Sequence, residues 1–153
     1  MEKEIAVNDR VKIIFSLVPD EDGYPPFDYE SVWAKKLNEN LWKIDNIPFF
    51  VTDVSSGDIV RIKRRKSGEN HFLEVVEKCG HSTLRIFFNE ESSVKEVRDQ
   101  LLKMGCSTEA SNIKKLISID VPPEVSINKV KSYLELLNKQ EILDIEDGCL
   151  QHP

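Results

Sequence analysis

The sequence predicts an α+β protein, and three observations predict it. Short β-rich runs separated by turn residues fill residues 10 to 85, two later segments repeat apolar residues at helical spacing, and strand-like runs flank both of those segments. A chain of 153 residues, 40% hydrophobic and 31% charged, has enough aliphatic surface to offset its ordering entropy and needs neither disulfide nor metal to fold.

In the first part the runs are Val11 to Val18, Ser31 to Leu37, Leu41 to Asp45, Phe49 to Asp53, Asp58 to Arg64 and His71 to Glu77. Asn38-Glu39-Asn40 and Ser67-Gly68-Glu69-Asn70 tolerate positive φ and predict hairpins, and Ser55-Ser56-Gly57-Asp58 is a turn feeding a strand. Residues 1–83 are therefore expected to form a small, partly closed antiparallel β-barrel of five or six strands. Trp33, Trp42, Phe49, Phe50 and Phe72 are concentrated here and are expected to fill its core.

Residues 84–153 follow a different grammar. Leu84 to Phe88 reads as a strand. Ser93-Val94-Lys95-Glu96 reads as a capping box, in which serine and glutamate satisfy backbone donors at a helix start. Val94, Val97, Leu101 and Met104 then recur at helical spacing, and Gly105 sits where a left-handed C-cap belongs. Cys106 to Ser111 and Lys115 to Val121 predict two strands around a turn at Asn112, the second stopped by Pro122-Pro123. Ser126 caps a second helix carrying Ile127, Val130, Leu134 and Leu137, and Ile142 to Asp147 is a closing strand. The order strand, helix, strand, strand, helix, strand is that of a ferredoxin-like sandwich. Two helices would cover one face of a four-stranded sheet and leave the other for the barrel or a partner.

The net charge is -6, with 12 basic against 15 acidic residues up to Thr83 and 9 against 12 beyond it, so neither part is a basic module. Cys79, Cys106 and Cys149 are an odd set with no short spacing, which argues against a disulfide framework and a zinc site and predicts a reducing, cytoplasmic setting. Met1 to Asp9 is charged and lacks a signal-peptide core, and no run approaches the ~20 apolar residues of a membrane span. No metal or cofactor is expected.

Three groups of residues bear on chemistry. Cys79-Gly80-His81-Ser82 places a thiol beside an imidazole, but catalytic cysteine and histidine usually meet from distant segments. A tight turn is expected there, with His81 hydrogen-bonding a neighbouring loop. Asp20, Glu21, Asp22, Asp28 and Glu30 form an acidic loop around Tyr24-Pro25-Pro26-Phe27, and their spacing does not match a calcium loop. This loop is the expected contact surface for a basic partner. Arg61, Lys63 and Arg65 would line one face of a strand as a phosphate-tracking stripe.

Several motifs, in one order, carry a resemblance: Tyr24-Pro25-Pro26, Glu30-Ser31-Val32-Trp33-Ala34, Asp45-Asn46-Ile47-Pro48-Phe49-Phe50, Ser56-Gly57-Asp58 and Gly80-His81-Ser82-Thr83-Leu84-Arg85. They resemble the bacterial domain-of-unknown-function family 4265, over nearly the whole chain. The resemblance implies an immunity partner of a bacterial toxin, and Glu30, Trp33, Asp45, Asn46, His81 and Ser82 as the members able to converge on a pocket. Asp45 and Asn46 serve equally well as turn residues before Pro48.

The leading expectation is a non-enzymatic protein-binding module, an immunity protein or antitoxin blocking a basic toxin through Asp20, Glu21, Asp22, Tyr24, Asp28 and Glu30. One alternative is a nucleic-acid-binding regulator using the barrel face. Another is an enzyme or small-molecule-binding protein with a site between the two parts near His81; a deep polar pocket there would favour it and a packed apolar seam would count against it.

Overall fold

The structure, a computed structural model, describes residues 10–153. The charged stretch Met1 to Asp9 lies outside the described residues. No helix among them is long and apolar enough to cross a membrane.

Five strands form a closed barrel in the order β1 (Arg10–Ser16), β2 (Tyr29–Lys36), β3 (Trp42–Ile44), β4 (Ile59–Arg64) and β5 (Asn70–Glu77). Consecutive strands pair antiparallel, but β1 and β5 close the barrel in parallel through Ile13 and Ile14 against Asn70 and His71. An odd number of strands in an up-and-down order forces the first and last to run the same way, so the wholly antiparallel barrel of the sequence expectation is corrected here. Alternation along the strands sends Ile13, Phe15, Val32, Ala34, Ile44 and Val60 inward, where Val51 and Val54 join them.

Two further expectations for this half are corrected. Phe49 to Asp53 is not a strand. Its backbone N–H groups at Phe49, Phe50 and Val51 instead donate to the Glu30 carboxylate at 2.6, 2.9 and 2.9 Å, so a side chain replaces a ladder partner. Nor do all five aromatics fill the core: Phe72 stacks on Phe15 and Trp42 packs partly against it, whereas Trp33 points outward by the strand's alternation. Phe49 and Phe50 are half-buried outside the core cluster. Asn38 closes its hairpin through its side chain, which accepts from Asn40 and Leu41 N–H, and Gly68 supplies the positive φ of the other at +92°.

The second sheet contains β6 (Ser82–Phe88), β7 (Ser107–Ala110), β8 (Leu116–Val121) and β9 (Leu143–Cys149), in the spatial order β7-β8-β6-β9 with every pair antiparallel. Helices α1 (Val94–Lys103) and α2 (Ile127–Lys139) supply Val97, Leu101, Val130 and Leu134 to one core with Leu84, Ile86, Phe88, Ile117 and Ile119. The predicted capping box at Ser93 does not form. A 3-10 turn, Glu91–Ser93, leads into α1, and the Ser93 side chain makes no capping bond. The C-terminus follows the expectation: Gly105 N–H donates to Leu102 and Cys106 N–H to Leu101, with Gly105 at φ +97°. Ser126 caps α2 by accepting from Lys129 N–H.

Alternation in β6 and β8 leaves Thr83, Arg85, Ser118 and Asp120 on the face away from the helices, and all four are buried. The loops of the barrel cover that face.

Candidate functional site

The seam between barrel and sheet is polar and filled. Ser55 and Thr83 hydroxyls are 2.7 Å apart, and Ser118 Oγ donates to the Ile47 carbonyl at 3.4 Å. Arg85, 1% exposed, donates through Nη2 to the Val51 carbonyl and through Nη1 to Glu146 at 3.3 Å. Its Nε has no partner among the described residues. Gly148 makes room for this guanidinium, because a Cβ there would stand 2.8 Å from its Cζ and Nη1. The seam matches neither of the two outcomes posed from the sequence: it is hydrogen-bonded rather than apolar, and its polar groups face one another rather than a cavity.

Of the six residues expected to converge on a pocket, Glu30 is engaged by the 49–51 backbone and the other five fall into two groups along this seam. In the first, Asp45 N–H donates to the Trp33 carbonyl at 2.9 Å, Trp33 N–H donates to Asn46 Oδ1 at 3.2 Å, and Asn46 Nδ2 donates to Glu109 on β7. Burial pushes the Glu109 carboxyl upward, and the bonds from Ile47 N–H and Asn46 oppose that rise. Asp45 pairs with Arg10 at 3.4 Å and Lys35 at 3.7 Å.

The second group is a lock on the C-terminal residues. His81 Nδ1 lies 2.9 Å from Asp120 Oδ1, and burial pushes the Asp120 carboxyl up while His81 pulls it down. Ser82 Oγ accepts from Gln151 and His152 N–H and contacts His152 Nδ1, whose Nε2 faces the Pro122 and Val125 carbonyls at 2.9 and 3.0 Å. Two carbonyls at Nε2 make it the protonated nitrogen, so Ser82 donates to Nδ1. That is a serine–histidine pair, but Ser82 is wholly buried and its oxygen already receives two donors, which suits holding residues 151 and 152 in place. Cys79 also differs from an activated thiol: Sγ donates to the Gly57 carbonyl at 2.6 Å, and burial with the Asp58 charge raises its pKa.

The acidic loop is docked rather than loose. Tyr24 hydroxyl donates to Glu146 on β9 at 3.1 Å, and burial followed by the Glu146 charge pushes its pKa up to about 12. Tyr24 and Phe27 rings both pack on Phe50, at 6.1 and 5.5 Å between centroids. Asp20 Oδ1 accepts from Asp22 and Tyr24 N–H. Glu21, Asp22 and Asp28 are exposed and form no ion pair among the described residues. Glu30 is not presented with them, since its carboxylate is engaged by the 49–51 backbone.

The basic stripe is shorter than its spacing suggests. Arg61 pairs with Glu74 at 3.2 Å, Lys63 is exposed, and Arg65 falls beyond the end of β4, in the hairpin turn. An open groove of about 820 Å³ lies elsewhere, between α1 and the β7–β8 hairpin, lined by Val94, Arg98 and Leu102 among others. Arg85, Glu109, Asp120 and His152 are site residues that the sequence did not mark as candidates, although Arg85 ends one of the motifs quoted above. A signal for the first and third exists: polar residues alternate with aliphatic ones in Leu84-Arg85-Ile86 and Ile117-Ser118-Ile119-Asp120, which marks a sheet buried on both faces with one face polar.

Comparison with known proteins agrees with this architecture. No curated protein matches the chain. A crystal structure of a hypothetical protein from Neisseria gonorrhoeae has the same fold, with a TM-score of 0.77 over 95% of this chain and 96% of that one at 17% identity. The family model described as Domain of unknown function (DUF4265) matches residues 30–145, which contain all but the first of the motifs quoted above, and the chain belongs to that family.

Proposed function

We propose that this protein is a non-enzymatic protein-binding module that neutralises a basic partner, as an immunity protein or antitoxin does. The observation that carries the reading is the docked acidic loop: exposed Tyr24, Phe27 and Tyr29 stand among Asp20, Glu21, Asp22 and Asp28, with the loop tied to β9 and Phe50. A surface ordered before encounter avoids ordering cost on binding, its carboxylates steer a basic partner, and its aromatic rings supply contact area. A cytoplasmic setting suits the three free thiols. The second sheet, with both helices on one face and the order β9-β6-β8-β7, is best classed as ferredoxin-like.

The test is affinity capture from the source cell with wild-type protein and with Asp20→Lys/Glu21→Lys/Asp22→Lys. A basic protein retained by the wild type and lost from the variant, with slower association and weaker salt dependence in kinetics on the purified pair, is the expected result. Equal retention by both proteins would place the interface elsewhere.

A further inference from the structure

The outer face of the barrel carries charge of the opposite sign. Arg10 on β1 stands directly across from Lys35 on β2, and Lys35 directly across from Lys43 on β3. Three cations therefore occupy one cross-strand row in a protein whose net charge is -6; like charges directly opposite repel, and only the Arg10–Lys35 pair has a carboxylate between them. The next row pairs Lys12 with Trp33. Arg10 Cζ and Lys12 Nζ lie over the Trp33 ring, at 4.7 and 5.2 Å from its centroid. Asp45 bridges Arg10 and Lys35, while Lys12 and Lys43 form no ion pair among the described residues.

We infer that this face of β1, β2 and β3, centred on Trp33, is a binding surface for single-stranded nucleic acid. Proteins that hold single strands combine a cationic track for phosphates with an aromatic plane on which a base stacks. Both elements are present within two neighbouring rows. Phosphates draw Arg10 and Lys12 off the indole, and the face of Trp33 that they cover becomes the stacking plane. An acidic polypeptide would satisfy the four cations and leave the indole unused, which is why a nucleotide fits better. The surface is separate from the acidic loop: six residue steps along the β1–β2 ribbon, roughly 20 Å at ~3.4 Å per step, divide the Arg10–Lys35 pair from the Ser16–Tyr29 pair where that loop begins.

The experiment is a fluorescence-anisotropy titration of the full chain with labelled oligouridylate and oligodeoxythymidylate of about 12 nucleotides, within the ~4–16 that such sites cover. Affinity should fall with salt at a log–log slope of about -2 to -3, the value for three to four cations at ~0.7 each on a single strand. Lys35→Glu/Lys43→Glu should weaken binding by at least about tenfold, while Lys129→Glu/Lys139→Glu on α2 should change it less than about twofold. Trp33 should be quenched on binding, and Trp33→Phe should abolish the quench while Trp42 emission stays unchanged. Far-UV circular dichroism of each variant checks that the fold persists. Absence of binding at low salt, an unaltered affinity in the Lys35/Lys43 variant, or displacement of the oligonucleotide by polyglutamate at equal charge concentration would overturn the inference, the last by assigning the face to an acidic protein.

Discussion

Removing the Glu30 carboxylate should unseat residues 49–51, a β3–β4 segment through which the barrel packs on the sheet. Glu30 receives the N–H groups of Phe49 at 2.6 Å and of Phe50 and Val51 at 2.9 Å. That segment inserts Val51 into the barrel core and offers its carbonyl to buried Arg85. A hydrogen bond to a charged acceptor contributes about 1.5 to 3 kcal/mol net, so three at the low end come to about 4.5 kcal/mol; water can replace part of this at the half-buried site, which leaves about 3 to 4 kcal/mol for Glu30→Ala. Glu30→Gln keeps one carbonyl oxygen, able to serve Phe50 and Val51 in place of Oε1, but turns an amide donor toward Phe49 N–H. Its cost should be about half that of the alanine change. Urea unfolding followed by tryptophan emission measures both, because Trp33 and Trp42 lie in barrel strands and report on that part of the chain. A loss under about 1 kcal/mol for Glu30→Ala, or equal losses for alanine and glutamine, would refute the account of the carboxylate as a three-donor anchor.

Leu101→Ala, at a wholly buried position of α1, should cost about 2 to 5 kcal/mol through the cavity it leaves, measured by far-UV circular dichroism in urea. Gly148→Ala should destabilise by more than about 1 kcal/mol, since its Cβ would stand 2.8 Å from a guanidinium already confined by the seam; unchanged stability would mean that Arg85 has room to move. Burial pushes the Cys106 thiol up to about 11 from 9.0, so a stabilising contribution present below about pH 9 is lost as pH rises toward 11. Two pKa steps at ~1.36 kcal/mol each cap the loss near 2.7 kcal/mol, and the difference between wild type and Cys106→Ala in urea midpoint across that range isolates it. Cys79 should label slowly with a thiol reagent near neutral pH, because its pKa is raised; rapid stoichiometric labelling would reopen the enzyme reading.

Local signals in the sequence determined the elements whose stabilising contacts are close along the chain. Helix α1 is set by Val97 and Leu101 with Gly105 at its end, α2 by Ser126, Val130 and Leu134, and the hairpins by Asn38 and Gly68. The family was likewise legible, because its motifs are short contiguous strings. The tertiary structure alone decided where polar groups went. Phe49 to Asp53 has the composition of a strand, yet the closed barrel has no edge for it, and Glu30, nineteen residues before Phe49, takes up its donors. Trp33 has the composition of a core residue, and strand register turned it outward beneath Arg10 and Lys12. His81 and Ser82 are neighbours in sequence, but their partners Asp120 and His152 come from 39 and 70 residues away. Periodicity records which side of an element faces apolar surroundings; it does not record which distant donor meets which acceptor, and in this protein that pairing builds the seam between the two parts.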